Sequence, residues 1–502
     1  MFVSQALPGK PRLTPSVLTD FFSRIQQSGL AVNTFMLLQD GAVTAEFARA
    51  PYRVDQPQLL YSLSKSVTSI AAGIAIDEGL LKLTDTVISF FPHKLPDTIS
   101  ANLARMTVHH LLSMNAGHGD NIYGAVAQNK DWVQAFLAQE VAYEPGSHYL
   151  YSTHCTYMLS AIIEQVAGEK LVDFLMPRLF EPLDIPRPVW ETCPLGITAG
   201  GMGLSLSTES IAKLGQLLLN KGEYAGRRIV SERYLALAAS EQSDNRLSAK
   251  AGRIDSAQGY GYQFHLCRRG CFRGDGSFGQ LLLVAPRENI VIAATSAFPG
   301  MQQLQTLLDL IFEQLFDRLD QPEADNSLEI NANERFVFSQ THPAMLLPSA
   351  LPPESRPGLK PAVYRLADNP HGLKVIALDM QEEQLMLQMF YGDARDGVLP
   401  FRFGQTLSTR GVFCKDLALH QQEVVTTIAW QDRDSLKLTL IYPETPYIVT
   451  YIMEFRPEAI QLTFQMNVSL NIAEYSTTGI LTAAGALSLN HAIVNPDSLT
   501  AD

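Results

Sequence analysis

Residues 59–85 read LLYSLSKSVTSIAAGIAIDEGLLKLTD. A serine and a lysine three apart, Ser62 and Lys65, open an apolar run that ends at Gly79. Val67, Ile70, Ala71 and Ile74 recur at helical spacing, which predicts a buried helix beginning at or just before Ser62 and closed by Gly79. Positions i and i+3 share a helix face, so the Lys65 amine can reach the Ser62 hydroxyl. The positive end of the helix dipole disfavours a protonated lysine there, and a neutral amine beside a serine is a workable base. The backbone N–H of Ser62, unpaired in a first turn, is free to face an oxyanion. One short segment thus offers a nucleophile, a proton acceptor and half an oxyanion hole.

The spacing alone is cheap. It recurs as SIAK, Ser210 to Lys213. There Ser207 is the expected cap, Ser210 falls in the first turn of an amphipathic surface helix, and Lys213 is expected in solvent.

Upstream, residues 31–48 (AVNTFMLLQDGAVTAEFA) alternate into Asp40-Gly41 and out again, a two-residue hairpin signal. Helical patterns continue downstream to about Asn220, through TVHHLLSM (107–114), TYMLSAIIEQVAG (156–168) and STESIAKLGQLLLNKG (207–222). Strands return near Tyr260 with GYGYQFHLC (259–267), GQLLLVAP (279–286) and NIVIAATSA (289–297), followed by an amphipathic helix at 301–319. Residues 1–325 therefore read as an α+β unit. Its antiparallel sheet is built from both ends of the segment and flanked by helices, with a helical insert between. Residues 326–361 read as a proline-rich linker. Residues 362–502 hold short alternating runs separated by turn residues, an all-β barrel or sandwich without catalytic motifs of its own.

The bulk properties narrow the function. The 502 residues carry a net charge of −13, and basic clusters are short, which disfavours nucleic-acid and anionic-membrane partners. Five scattered cysteines read as reduced thiols rather than a disulfide framework. Cys267 and Cys271 beside His265 hint at a metal clip, but no second ligand pair follows, so neither metal nor cofactor is expected. The first residues, MFVSQALPGKPRL, lack the apolar core of a signal peptide, and no apolar run is long enough for a bilayer. A cytoplasmic protein is expected.

What separates Ser62 from Ser210 lies further along. Tyr151-Ser152-Thr153 follows a Pro-Gly turn in PGSHYLYSTHC (145–155) and precedes a long helix. SLSK (62–65), DEGLLKLTD (77–85), MTVHHLLSMNAG (106–117), this tyrosine segment, LFEPLDI (179–185) and GGMGLSLSTESIAKLGQLLLNKG (200–222) follow in order. Across residues 30–315 the chain resembles the serine hydrolases of the penicillin-binding-protein and class C β-lactamase superfamily, a β-lactamase/transpeptidase-like fold. The resemblance places SIAK on a helix away from the site. It implies that Ser62 attacks a carbonyl and forms an acyl-enzyme, which water then hydrolyses. Lys65 and Tyr151 would share the base role, the phenol with its pKa lowered by neighbouring ammonium charge.

Two departures from the family pattern bear on substrate. Thr153 stands where many relatives have asparagine, and no Lys-Thr-Gly or His-Thr-Gly occurs in the chain. FRGDGSFGQLLLVAP (272–286) takes the place of that strand motif, so the N–H of Gly276 or Ser277 would complete the oxyanion hole and Arg273, beside Asp275, would replace the missing cation. Thr153 and His154 would line the pocket. Gly200, Gly201 and Gly203 would form a tight loop at its rim. His109 and His110 read as packing or capping groups, and His118 as a solvated loop residue. The substrate class implied is a small ester, amide or peptide. The alternatives are a true β-lactamase or D-Ala carboxypeptidase, or a non-catalytic binding protein of the same fold. The sequence leaves the oligomeric state open.

Overall fold

The computed structural model describes residues 13–319, 335–346 and 358–482, apart from residue 382. They divide into two compact units, one of residues up to 48 together with 53–339, the other of 49–52 together with residues from 340 onward.

In the first unit, β1 (Val32–Gln39) and β2 (Ala42–Ala50) pair antiparallel. Asp40 and Gly41 between them have φ of 52° and 77°, the two left-handed residues that a tight hairpin requires. After the helical insert the chain returns as β3 (His265–Leu266), β4 (Phe272–Gly276), β5 (Gln280–Ala285) and β6 (Ile290–Ser296). A further strand, β7 (Phe336–Thr341), lies within the stretch read as linker. The seven strands are ordered β7-β2-β1-β6-β5-β4-β3, so both ends of the segment meet at the β1–β6 pair, with Phe35 opposite Ala294.

Every residue of β1 and of β6 is buried, because helices cover both faces of the sheet. On one face α1 (Pro15–Gln27) packs Leu18, Phe21, Phe22 and Ile25 against Phe35, Leu281 and Ile292, together with the helix that starts at Met301. On the other lies α4 (Thr208–Leu219), where Gly215 leaves no room for a side chain against Val291 and Leu282. The insert contributes α2 (Ser64–Asp77), buried along nearly its whole length, and α3 (Thr153–Ala167) packed beside it. The α+β architecture expected from the sequence is the one observed.

The expectation for SIAK needs correcting. α4 is not a surface helix, and Lys213 is not solvated but 4% exposed. Its ammonium donates to the Asp184 carbonyl at 2.7 Å, while Ser210 bonds the cap residue Ser207. His118 is likewise not a solvated loop residue. It is buried with its ring 5.0 Å from that of Phe136. His110 does act as a cap, accepting the Thr107 N–H, and His109 bonds the Tyr262 hydroxyl at 2.7 Å.

The second unit holds ten strands in unbroken sequence order: β8 (Ala362–Leu366), β9 (Val375–Gln381), β10 (Gln384–Phe390), β11 (Gly397–Arg402), β12 (Leu407–Cys414), β13 (Leu419–Trp430), β14 (Ser435–Ile441), β15 (Ile448–Phe455), β16 (Ala459–Met466) and β17 (Glu474–Leu481). Neighbouring strands pair antiparallel, β17 returns to β8, and β11 lies against β12 and β13, which makes a nearly closed up-and-down barrel. Among the described residues no helix is long and apolar enough to cross a membrane. The segments 1–12, 320–334, 347–357 and 483–502, which include the N-terminus and much of the expected linker, lie outside the described residues.

Candidate active site

Ser62 sits in a tight turn, Tyr61–Leu63, that leads directly into α2. The sequence pattern ran the helix through Ser62, whereas the α-helical part starts two residues later. Tyr61 has φ of 49°, a left-handed conformation that costs a non-glycine residue about 1–2 kcal/mol. The turn is held by the Leu60 N–H donating to the Leu204 carbonyl at 2.8 Å and the Ser64 hydroxyl donating to the Tyr61 carbonyl at 2.6 Å. Phe278, also left-handed with φ of 65°, packs edge-on against the Tyr61 ring at 5.2 Å. Two glycines of β4 allow this approach. A Cβ on Gly276 would fall on the Leu60 carbonyl oxygen, and one on Gly274 would fall on the Ser66 hydroxyl. β4 therefore runs hard against the serine turn and delivers Ser277 to the cleft that holds Ser62.

Lys65, one turn into the helix, is 1% exposed. Its amine lies 2.9 Å from Ser62 Oγ, 3.2 Å from Thr153 Oγ1 and 2.7 Å from the Gly201 carbonyl oxygen. The Gly201 carbonyl can only accept, and Thr153 Oγ1 is a second acceptor. With two N–H bonds so directed, the third tetrahedral position of the nitrogen points at the serine hydroxyl. Gly200 and Gly201 make this possible, since side chains there would collide with Ser160 and Thr153 on α3. Thr68 fixes the loop by donating to the Gly200 carbonyl at 2.8 Å.

Tyr151 stands just before the start of α3, anchored by the Leu150 N–H on the Met114 carbonyl at 2.8 Å. Lys65 Nζ lies 5.0 Å from its ring centroid, and the ring lines the same cleft as Ser62. The ring stacks on His265 at 6.0 Å and meets Tyr260 edge-on at 6.2 Å. Burial, with the nearby Asp275 carboxylate, pushes the phenol above its ordinary pKa, against the downward pull of the neighbouring Ser62 hydroxyl and Arg273. This reverses the expected direction. The surroundings keep Tyr151 protonated rather than ready to act as a phenolate.

The remaining expected residues divide. Asp275 and Ser277 line the cleft, a space of about 520 Å³ that also takes in Tyr149 and His265. Arg273 lines it too, but its guanidinium is no free cation. Nε donates to Asp275 at 2.8 Å and Nη1 reaches Cys267 Sγ at 3.0 Å, with the side chain 2% exposed. Burial acts to raise the Asp275 pKa, yet Arg273 and His265 hold it below the ordinary carboxylate range. Burial also lowers the His265 imidazole to about 4, so the ring is neutral near pH 7. Thr153 reaches the site only as the acceptor for Lys65. His154 is not brought to the cleft. It is fully buried among Tyr123, Trp132 and Tyr157, with neither ring nitrogen hydrogen-bonded among the described residues.

Sequence reasoning missed Tyr149, His265, Lys250 and Arg253 as cleft residues. Strand alternation put His265 in a β segment, but its place opposite Arg273 is set by the β3–β4 register. No periodic signal marks residues 246–256, which supply Lys250 and Arg253. Among the described residues neither of these two side chains has an acidic partner, so the unpaired cations of the cleft are these and not Arg273. Cys267 and Cys271 are buried in the sheet core, and among the described residues no cluster of His, Cys, Asp and Glu is arranged to hold a metal.

The chain is similar to several known proteins. The 6-aminohexanoate-dimer hydrolase of Paenarthrobacter ureafaciens is 24% identical over 301 residues, covering 56% of this chain and 76% of the relative. A beta-lactamase-like structure from Bacteroides dorei superposes with a TM-score of 0.50 at 15% identity, over 62% of this chain and all of that one. The octameric penicillin-binding protein homologue of Pyrococcus abyssi gives a TM-score of 0.48 at 15% identity, over 92% of this chain and 99% of that one. The family model for beta-lactamases matches residues 22–316, more than half of the sequence. The chain thus belongs to the beta-lactamase family of serine hydrolases.

Proposed function

We propose that the protein hydrolyses a small ester or amide through an acyl-enzyme on Ser62. The observation that carries this reading is the 2.9 Å contact between Lys65 Nζ and Ser62 Oγ, with the other two directions of the amine bonded to Gly201 and Thr153. As Ser62 Oγ bonds the carbonyl carbon, its proton passes to the Lys65 lone pair. The oxyanion is received by the backbone N–H groups of Ser62 and Ser277, two residues that line the cleft. The raised pKa of Tyr151 suits it to give, not take, a proton. It protonates the departing oxygen or nitrogen and is reprotonated from the Lys65 ammonium. Water then repeats the sequence on the acyl ester. With Arg273 bound to Asp275, substrate charge falls to Lys250 and Arg253, which favours an acyl compound bearing a carboxylate. One relative is named a 6-aminohexanoate-dimer hydrolase, in keeping with a small amide. Five free thiols among the described residues agree with a reducing, cytoplasmic setting.

A fluorophosphonate probe tests the nucleophile. Mass spectrometry should find the adduct on the peptide of Ser62 and none on that of Ser210. A labelled Ser62→Ala variant, or ester turnover that survives this substitution, would remove the proposal.

A further inference from the structure

The five connections at one end of the barrel surround one cavity of about 300 Å³, at the lower end of the usual range for small-molecule sites, roughly 300–1,000 Å³. His371, Arg395, Lys415, Tyr442 and Leu470 represent one connection each. On the same strands Leu385, Leu387, Phe401, Leu438 and Leu462 are buried, none more than 1% exposed. The space forms a cup among these connections.

Its walls are aromatic. Phe413 stacks on Tyr442 at 4.5 Å and meets Tyr447 edge-on at 5.9 Å, while Tyr391 and Tyr451 add two more rings to the lining. Its cations are already engaged. Arg395 lies over the Tyr391 ring at 4.3 Å, with Nε on Asp393 at 2.9 Å and Nη1 on the His371 carbonyl at 2.8 Å. Lys415 is 4% exposed with its ammonium 2.6 Å from Glu444. Asp416 adds a carboxylate to the lining. Among the described residues an anionic guest would meet no unpaired cation in this lining, and the tyrosine faces and the Met389 side chain suit a flat apolar one.

We propose that this end of the barrel binds a small, uncharged aromatic molecule, separately from the chemistry at Ser62. The test is fluorescence titration of the full chain with N-phenyl-1-naphthylamine, alongside its sulfonated counterpart 8-anilinonaphthalene-1-sulfonate, which has the same rings plus a negative charge. Saturable one-to-one binding of the neutral probe is expected, at least about tenfold tighter than the sulfonate. Met389→Trp, which fills the cup, should weaken it by at least about tenfold, and Leu470→Glu at the rim by about threefold. Leu470 is 60% exposed, so that variant keeps its fold even if Met389→Trp does not. Ser62→Ala should bind as the wild type does. The proposal is overturned by any of three results: no saturable binding, equal affinity for both probes, or neutral-probe binding that is unchanged in Leu470→Glu or lost in Ser62→Ala.

Discussion

Lys65 owes its chemistry to what surrounds it. The serine and lysine were legible in the sequence because a helix start places them on one face. Tyr151 was legible only through its order in the chain relative to them. Its protonation was not, because burial and Asp275 are set by β3 and β4, far away in sequence. Turnover of a short p-nitrophenyl ester should fall by roughly 10⁴-fold or more in Ser62→Ala and in Lys65→Met, and by about 10²–10⁴-fold in Tyr151→Phe, the range for one positioned acid–base group. A second expectation concerns charge. Arg253→Ala should raise KM for an ester carrying a carboxylate by about tenfold and leave that for a neutral ester unchanged, since a solvent-facing cation contributes to binding only where it meets opposite charge. Equal effects on both esters would remove Arg253 from substrate recognition.

At the level of elements, two glycines show how context reverses a propensity. A glycine inside a helix usually costs about 1 kcal/mol relative to alanine. Gly215 in α4 is different, because a Cβ there collides with Val291 and Leu282. Gly215→Ala should therefore destabilise by about 1–3 kcal/mol, the usual penalty of overpacking, read as a lower urea midpoint with an unchanged slope. Gly276→Val should push β4 away from the serine turn and remove ester turnover along with stability. Three barrel strands, Ala362–Leu366, Leu407–Cys414 and Glu474–Leu481, carry little sequence signal, and the last reads EYSTTGIL. Such half-exposed, polar runs become strands because closing the barrel gives their backbone groups partners that no local pattern announces.

Across the molecule, stability in acid should reflect histidines buried as neutral rings. Burial lowers the imidazoles of His118 and His154 to about 4, below the ordinary value near 6.5. Between these values the unfolded chain binds protons that the folded chain does not, so the contribution is complete above the ordinary pKa and is lost as pH falls towards 4. Each such histidine steepens the loss by at most about 1.4 kcal/mol per pH unit. Urea titrations at pH 7, 6 and 5 should show it, and His154→Leu, which also removes two unbonded ring nitrogens, should flatten the decline. An unchanged slope would mean that His154 takes up its proton without unfolding.

Local pattern by itself determined the Asp40-Gly41 hairpin, the apolar helix behind Ser62, the order of the hydrolase elements and the β character of residues 362–481, because each depends on neighbours a few residues apart. Tertiary structure alone decided that the C-terminal strands close into a barrel rather than stack as a sandwich. It also decided that Arg273 spends its charge on Asp275, that His154 faces the core and that Lys213 is buried. Those outcomes depend on burial and on partners distant along the chain, and neither quantity is written in spacing.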